Sequence, residues 1–308
     1  TRWSRLRAEL SRNGALFLLA FPGMLHLIVF YYCTLPFLVI AFKDYRHVDG
    51  VWGSKWVGLK NFAFLFGTEK GWQITRHVIL YNTTFIVLGT VLAIAVAILL
   101  AEVQKSLASR YYQTALFFPQ FVSWVIIAYF GYALLHNENG MLNALLVALG
   151  KAPIDWYASP QHWPVILILS SIYRGLGAGA AIYLAGILRI SPEYYEAAQV
   201  DGANKWQQVL HITLPGLQPL IIVLVLLSIG SIFRADFGLF YQMPRQYANA
   251  VLIRTTDVID TYVFRALREG GQIKLATAAG LYQSAVGFVL VLAANWIVRR
   301  IDPNRSLF

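Results

Sequence analysis

Charge is scarce in this chain. Only 13% of its 308 residues are Asp, Glu, Lys or Arg, roughly half of the ~25% found in an ordinary soluble domain, and those few are clustered between long uncharged runs. So sparse a charge cannot coat a water-soluble surface, which excludes disorder and almost any soluble globular fold. Cysteine is scarcer still: Cys33 stands alone in an apolar run, so no intrachain disulfide scaffold exists and redox compartment cannot be read from it. There is no G-x-x-x-x-G-K-[ST] loop to cradle a nucleotide phosphate. The six histidines (His26, His47, His77, His136, His162 and His211) never fall at metal-ligand spacing, and no Ser/His/Asp arrangement follows from spacing. The net charge is +10, yet no basic block carries interleaved aromatics. That removes nucleic acid as a partner and leaves lipid headgroups as the counter-charge.

What the chain has in abundance is apolar length, with 58% hydrophobic residues. A bilayer core needs roughly 20 apolar residues in a helix, and six runs qualify. They are Asn13 to Phe42, His77 to Ala101, Tyr111 to Asn137, Trp163 to Leu188, a stretch within Trp206 to Phe233, and Leu275 to Val298. The first is interrupted by Pro22 and Pro36 and is read as a retained helix, too long for a secretory signal. The fifth is expected to enter the membrane near Pro215 or Pro219. The runs are continuous rather than alternating, so they form helices and not a β-barrel. The fold class is all-α: a polytopic membrane protein of six transmembrane helices.

Six helices place both termini on one side. Lys and Arg are denser in the segments sharing that side, and Arg2, Arg5, Arg7, Arg12, Arg299, Arg300 and Arg305 lie closest to helix ends, so both termini are expected to be cytoplasmic. Residues 1–13 are then a cytoplasmic segment, 14–301 a single transmembrane domain with a cytoplasmic loop at 190–215, and 302–308 a cytoplasmic tail. The loops after the first and fifth helices mix basic residues with Asp44, Asp49, Asp236, Asp257 and Asp260, and are read as folded external segments. Trp52, Trp56, Trp72, Trp156 and Trp163 read as an interface belt near the outer boundary.

The most informative stretch is ISPEYYEAAQVDGANKWQQVLHITLPGLQP, Ile190 to Pro219. Ser191 is a helix N-cap and Pro192 suits the first helical position. Glu193 follows in the first turn, where the helix dipole favours it. The helix is expected to break at Asp201-Gly202, with a second short helix from about Asn204 to His211 that Leu214-Pro215 ends before the fifth span. Ala197 and Ala198 let a partner surface approach closely, with Glu196 and Asp201 at the rim.

That pattern resembles the cytoplasmic EAA loop of binding-protein-dependent ABC importer permeases, through Glu196, Ala197, Ala198, Asp201, Gly202, Ala203, Ile212, Leu214 and Pro215. Phe42-Lys43-Asp44-Tyr45 followed by Trp56-Val57-Gly58-Leu59-Lys60-Asn61-Phe62 is similar to the first external loop of sugar-type permeases. Asp257 to Val263 and Asn295-Trp296 look like the subgroup serving oligosaccharides and polysaccharide fragments. Unlike the maltose-type permease, the protein is expected to have neither additional N-terminal helices nor a large inserted external domain. The resemblance implies the type I ABC importer permease fold and a bacterial inner-membrane location. It also implies that Glu193, Glu196, Ala197, Ala198, Asp201, Gly202 and Ala203 couple to an ATPase. Its implied partners are a second, different permease, two ATPase subunits that carry ATP and Mg, and an external solute-binding protein. The chain itself is expected to bind no cofactor and to be no enzyme.

Arg174 lies inside the fourth run, where an arginine costs about 3 kcal/mol by insertion scales. It either lines the translocation path, donating to sugar hydroxyls or a carboxylate, or is an internally paired or snorkelling arginine. Phe233, Asp236, Phe237, Tyr241 and Tyr282 are the other candidates for the path. Ser171, Gly175 and Gly179 repeat every four residues and read as a helix-packing face. The loops expected outside carry 13 basic and 9 acidic residues. With Arg174, that tips the substrate toward an acidic, alginate-like uronate oligosaccharide. A neutral sugar or a glycerol-phosphate-type solute is the alternative. A self-contained secondary transporter would show intramembrane carboxylates, and only Glu102, near a helix end, comes close.

Overall fold

The computed structural model describes residues 12–104 and 108–301; the expectations for 1–11 and 302–308, including Arg2, Arg5, Arg7 and Arg305, lie outside them. Among the described residues five helices are long and apolar enough to cross a membrane: Gly14–Phe42, Glu69–Glu102, Pro160–Ile187, Lys205–Gly230 and Ile273–Arg300. A pair of helices, Ser109–Phe121 and Trp124–Leu135, bent by 100°, makes a sixth if it is one span. In chain order these are the first to sixth spans, the bent pair being the third.

Three expectations about these runs are corrected. The first run is α-helical only over Gly14–Phe30, then tightens into a 3-10 helix over Tyr32–Phe42 around Pro36. There the Thr34 hydroxyl donates to the Phe30 and Tyr31 carbonyls. The third run is not straight. Pro119 opens a 3-10 turn, Val122 is extended (φ −78°, ψ 132°), and Ser123 caps a new helix by accepting from the Ile126 amide at 3.4 Å. The second knuckle helix is not ended by Leu214-Pro215. A π turn, Val209–Thr213, joins it directly to Leu214–Gly230, whose first turn holds Pro215. Its widened loop tolerates the missing N–H.

Close packing follows the small residues, as expected where lipid removes the hydrophobic drive between helices. The second and fourth spans form a core with Ala93, Ala97 and Leu100 against Ala180, Tyr183, Leu184 and Ile187, joined by Leu217 of the fifth span. A Cβ on Gly177 would sit 1.9 Å from the Leu116 carbonyl, and one on Gly186 2.8 Å from Leu217 and Leu220. No residue of Gly14–Phe30 is buried; that helix presents its leucines and phenylalanines all round.

The larger core lies at the opposite end, under the loops. Ile74, Val78, Trp124, Trp163, Leu167, Leu239, Phe240, Leu252 and Ile259 are buried together there. Trp163 is fully buried and donates to the Trp156 carbonyl at 2.8 Å. It therefore leaves the expected interface belt, whereas Trp52, Trp56 and Trp72 are exposed. The F-K-D-Y and W-V-G-L-K-N-F motifs now have a mechanical meaning. Strands β1 (Lys43–Asp44) and β2 (Lys55–Trp56) pair antiparallel, Phe42 stacks on Trp56, and buried Asn61 donates to the Ala41 and Lys43 carbonyls. The Lys43 ammonium donates to the Val51 and Trp52 carbonyls. An ion pair between Asp44 and Lys274 fastens this loop to the start of the sixth span. Asp257 is fully buried between Lys70 (2.8 Å) and Arg265 (2.6 Å).

Candidate functional site: a coupling knuckle and a membrane cavity

The Ile190–Pro219 segment folds as two short helices with a hard corner. The first runs Pro192–Val200. Ser191 precedes it without a side-chain capping bond, so the expected hydroxyl cap is absent and Pro192 alone sets the start. Its end is closed twice: the Ala203 amide donates to Ala198 O at 2.8 Å and the Gly202 amide to Gln199 O at 3.1 Å. This is the Schellman arrangement, which needs a left-handed residue just past the helix. Gly202 supplies it at φ +82°. The D-G-A triplet is thus the sequence of a helix stop.

A capping box opens the second helix: Asn204 Oδ1 accepts from the Gln207 amide (2.9 Å) and Gln207 Oε1 from the Asn204 amide (2.8 Å). Because the π turn continues directly into the fifth span, no free joint separates the corner from the membrane helix. Buried Gln208 donates to the Ala203 carbonyl, and Lys205 pairs with Glu102 at the end of the second span at 2.9 Å. Glu193, Glu196, Ala197, Asp201 and Gly202 are exposed, while Ala198 and Ala203 are partly covered. Tyr194, Val200 and Trp206 are exposed at 65%, 88% and 69%, large apolar side chains left uncovered on a segment that also exposes Glu193, Glu196 and Asp201, as at interaction sites.

Within the bundle a cavity of about 550 Å³ lies between the second, fourth and fifth spans, with Asn82, Thr90, Gly175, Gly179, Ser228 and Arg234 among its lining. Ser171 and Gly175 line it too, and a Cβ on Gly175 would meet nothing within 4 Å. Only Gly179 of that stripe is in close contact, with Ala93 at 3.0 Å. The helix contacts that need a glycine fall instead on Gly177 and Gly186.

The structure brings two path candidates together and buries others. Arg174 Nη1 lies 3.5 Å from Asp236 Oδ2 and its guanidinium 4.8 Å from the Trp124 ring. Trp124 Nε1 donates to the same Asp236 oxygen at 2.7 Å, and Asp236 Oδ1 caps the helix Phe237–Gln242. Arg174 is thus paired with Asp236 and pins two spans to a loop helix. Its Nε is buried without a partner. Phe233 is buried edge-on to Tyr282 at 5.7 Å. Phe237 stacks on buried Tyr241 at 4.9 Å.

Residues 86–306 match the family described as the binding-protein-dependent transport system inner membrane component. The chain belongs to this family. It is a multi-pass permease subunit, and its ATPase is a separate protein. It is 34% identical, over 97% of its length and 92% of the relative's, to the polygalacturonan/rhamnogalacturonan transport system permease protein YteP of Bacillus subtilis. It is 32% identical to protein LplB of the same organism, over 96% and 92% of the two chains. Among solved structures it resembles a chain of a bacterial ABC transporter involved in import of the acidic polysaccharide alginate, at a TM-score of 0.87 and 30% identity, covering 97% of this chain and 99% of that one. A second match is to the alginate transporter in complex with a periplasmic protein holding an alginate pentasaccharide, at a TM-score of 0.86 and 30% identity, covering 96% and 98%.

In this permease the residues that sequence reasoning missed are Asn82, Thr90, Ser228 and Arg234. For three of them the signal was present: 82, 86, 89, 90 and 93 form one helical face of the second span and 224 and 228 one of the fifth, all cavity-lining, whereas Arg234 lies past the span's end at Gly230.

Proposed function

We propose that this permease forms half of the translocation path of an ATP-driven oligosaccharide importer, with acidic, uronate-containing oligosaccharides as its substrate class. A second, different permease supplies the other half, an external binding protein delivers the sugar, and two ATPase subunits holding ATP and Mg dock on the knuckle. Both termini and the knuckle lie on the cytoplasmic side, in keeping with the density of Lys and Arg there. The observation that carries the coupling role is the continuity of the capped corner, Pro192 to Gln208, with the fifth span through an unbroken helix. A push on exposed Glu196, Ala197 and Asp201 is delivered to a span that borders the membrane cavity. The sugar passes along Gly175 and Gly179. Arg174, Asp236, Phe237 and Tyr282 frame the outer mouth of the path, with buried Phe233 and Tyr241 packed behind them. The alginate importer that this chain resembles, and the rhamnogalacturonan permease to which it is related, both support the acidic reading.

The test is co-purification and ATP-linked uptake. A tagged chain brings down an ATPase subunit and a second permease. Glu196→Lys weakens that association and abolishes uptake while membrane levels stay normal. Intact association and uptake in Glu196→Lys would overturn the coupling assignment.

A further inference from the structure

We propose that a second cavity, at the loop end, is a subsite that takes the carboxylate of an acidic sugar before it enters the membrane; this rests on the acidic-oligosaccharide reading above. The cavity, about 400 Å³, lies between Trp124–Leu135 and the Phe237–Gln242 helix with its following turn, and is lined by Val125, Ala128, Gln242, the tyrosines 129, 132, 241 and 247, and the arginines 245 and 268. No acid is among them. Tyrosine faces accept sugar rings and arginine forks accept carboxylates, so the lining matches a uronate rather than a neutral ring.

The two arginines are held by tyrosines instead of acids. Arg245 sits 4.3 Å from the Tyr132 ring centroid and donates from Nε to the Tyr247 hydroxyl at 3.2 Å. Arg268 donates from Nη1 to the Tyr241 hydroxyl at 3.1 Å. Among the described residues neither makes an ion pair, whereas Arg174 and Arg265 both do. Asp155 borders an adjoining cavity that shares Tyr132 and Arg245, and its Oδ1 accepts from the Ala158 amide.

The backbone carries an independent sign. Arg245 is the one non-glycine residue with positive φ (+52°) among the described residues. It ends its helix with the pair of bonds that ends the knuckle helix: Gln246 N to Tyr241 O at 3.1 Å and Arg245 N to Gln242 O at 3.0 Å. Glycine takes this position without strain, as Gly202 does. An arginine held there keeps an unfavourable backbone in exchange for placing its guanidinium in the cavity.

The test uses the complete transporter with its binding protein in proteoliposomes, supplied with tetragalacturonate or its fully methyl-esterified form, which keeps the sugar rings and replaces each carboxylate by a neutral ester. Arg245→Gly restores the usual cap residue, so folding is retained and the thermal midpoint holds or rises. Combined with Arg268→Gln it lowers kcat/KM for the acid about tenfold and leaves the ester within about twofold of wild type. Arg245→Lys recovers only part of the loss. Docking of the binding protein, measured separately, is unchanged. Equal losses for acid and ester with weakened docking would make the cavity a protein contact and overturn the subsite. No loss for either sugar would also overturn it. A wild-type transporter that refuses the acid while taking the ester would sink the acidic-sugar reading, and the subsite with it.

Discussion

The hydroxyls of Tyr195 and Thr213 meet at 3.0 Å, bridging the first knuckle helix to the π turn at the root of the fifth span. This bond, with Gln208 to Ala203, closes a small hydrogen-bonded frame around the corner. Removing one hydroxyl with Tyr195→Phe costs on the order of 1 kcal/mol, too little to unfold the chain. The expected result is more ATP hydrolysed per sugar imported, because the corner can yield before the span moves. The ratio of the two rates in proteoliposomes measures it.

Gly177 and Gly175 sit two residues apart and should respond oppositely. Gly177→Ala drives a Cβ into the Leu116 carbonyl and is expected to cost about 1–3 kcal/mol or misplace the third span. A lowered thermal midpoint in detergent would reveal it. A Cβ on Gly175 meets nothing within 4 Å and the residue lines the cavity, so Gly175→Leu should fold normally and lose uptake as the cavity fills. Normal uptake by a folded Gly175→Leu protein would remove that cavity from the path.

Asp257 is fully buried between two cations. Asp257→Ala leaves Lys70 and Arg265 facing each other without a counter-charge, a loss on the order of 3–5 kcal/mol. Limited proteolysis of the 253–272 segment would detect it as early cleavage, and Asp257→Asn should rescue only part.

Asp260 behaves in the opposite sense. Burial raises its carboxyl above the ordinary carboxylate range, outweighing the bonds it accepts from the Ala235 amide and Gln283 and the nearby Arg234 charge. The folded state then holds its proton more tightly than the unfolded state. The resulting stability is complete below the unfolded pKa and is lost as pH rises through the raised one. Asp260→Asn should therefore melt higher than wild type at neutral pH, with the difference vanishing as pH falls through the carboxylate range. A pH-independent difference would contradict this.

Much of the architecture was legible because span length and helix stops are local properties. The D-G-A triplet announces a helix stop from three residues, and the first external loop motif encodes a hairpin with its own asparagine clamp. Relations set by distant chain were not legible. Arg174 is paired by Asp236, 62 positions later, and no periodicity points there. The stripe at Ser171, Gly175 and Gly179 has the spacing of a packing face and of a cavity wall alike; only the neighbours in space decide. The bend at Val122 depends on one extended residue after a proline, and the passage through Pro215 on one widened turn, both beyond what composition reveals.

The unbroken run from Lys205 to Gly230 has a geometric consequence. At 1.5 Å per residue it is about 39 Å long, so a tilt of roughly 5° at its base swings the far tip by on the order of 3 Å. That tip is Gly230, which abuts Gly287 and Val291 of the sixth span with no spare room. Any such swing must drag the sixth helix along or part from it, making this glycine contact the place where motion is passed on or lost.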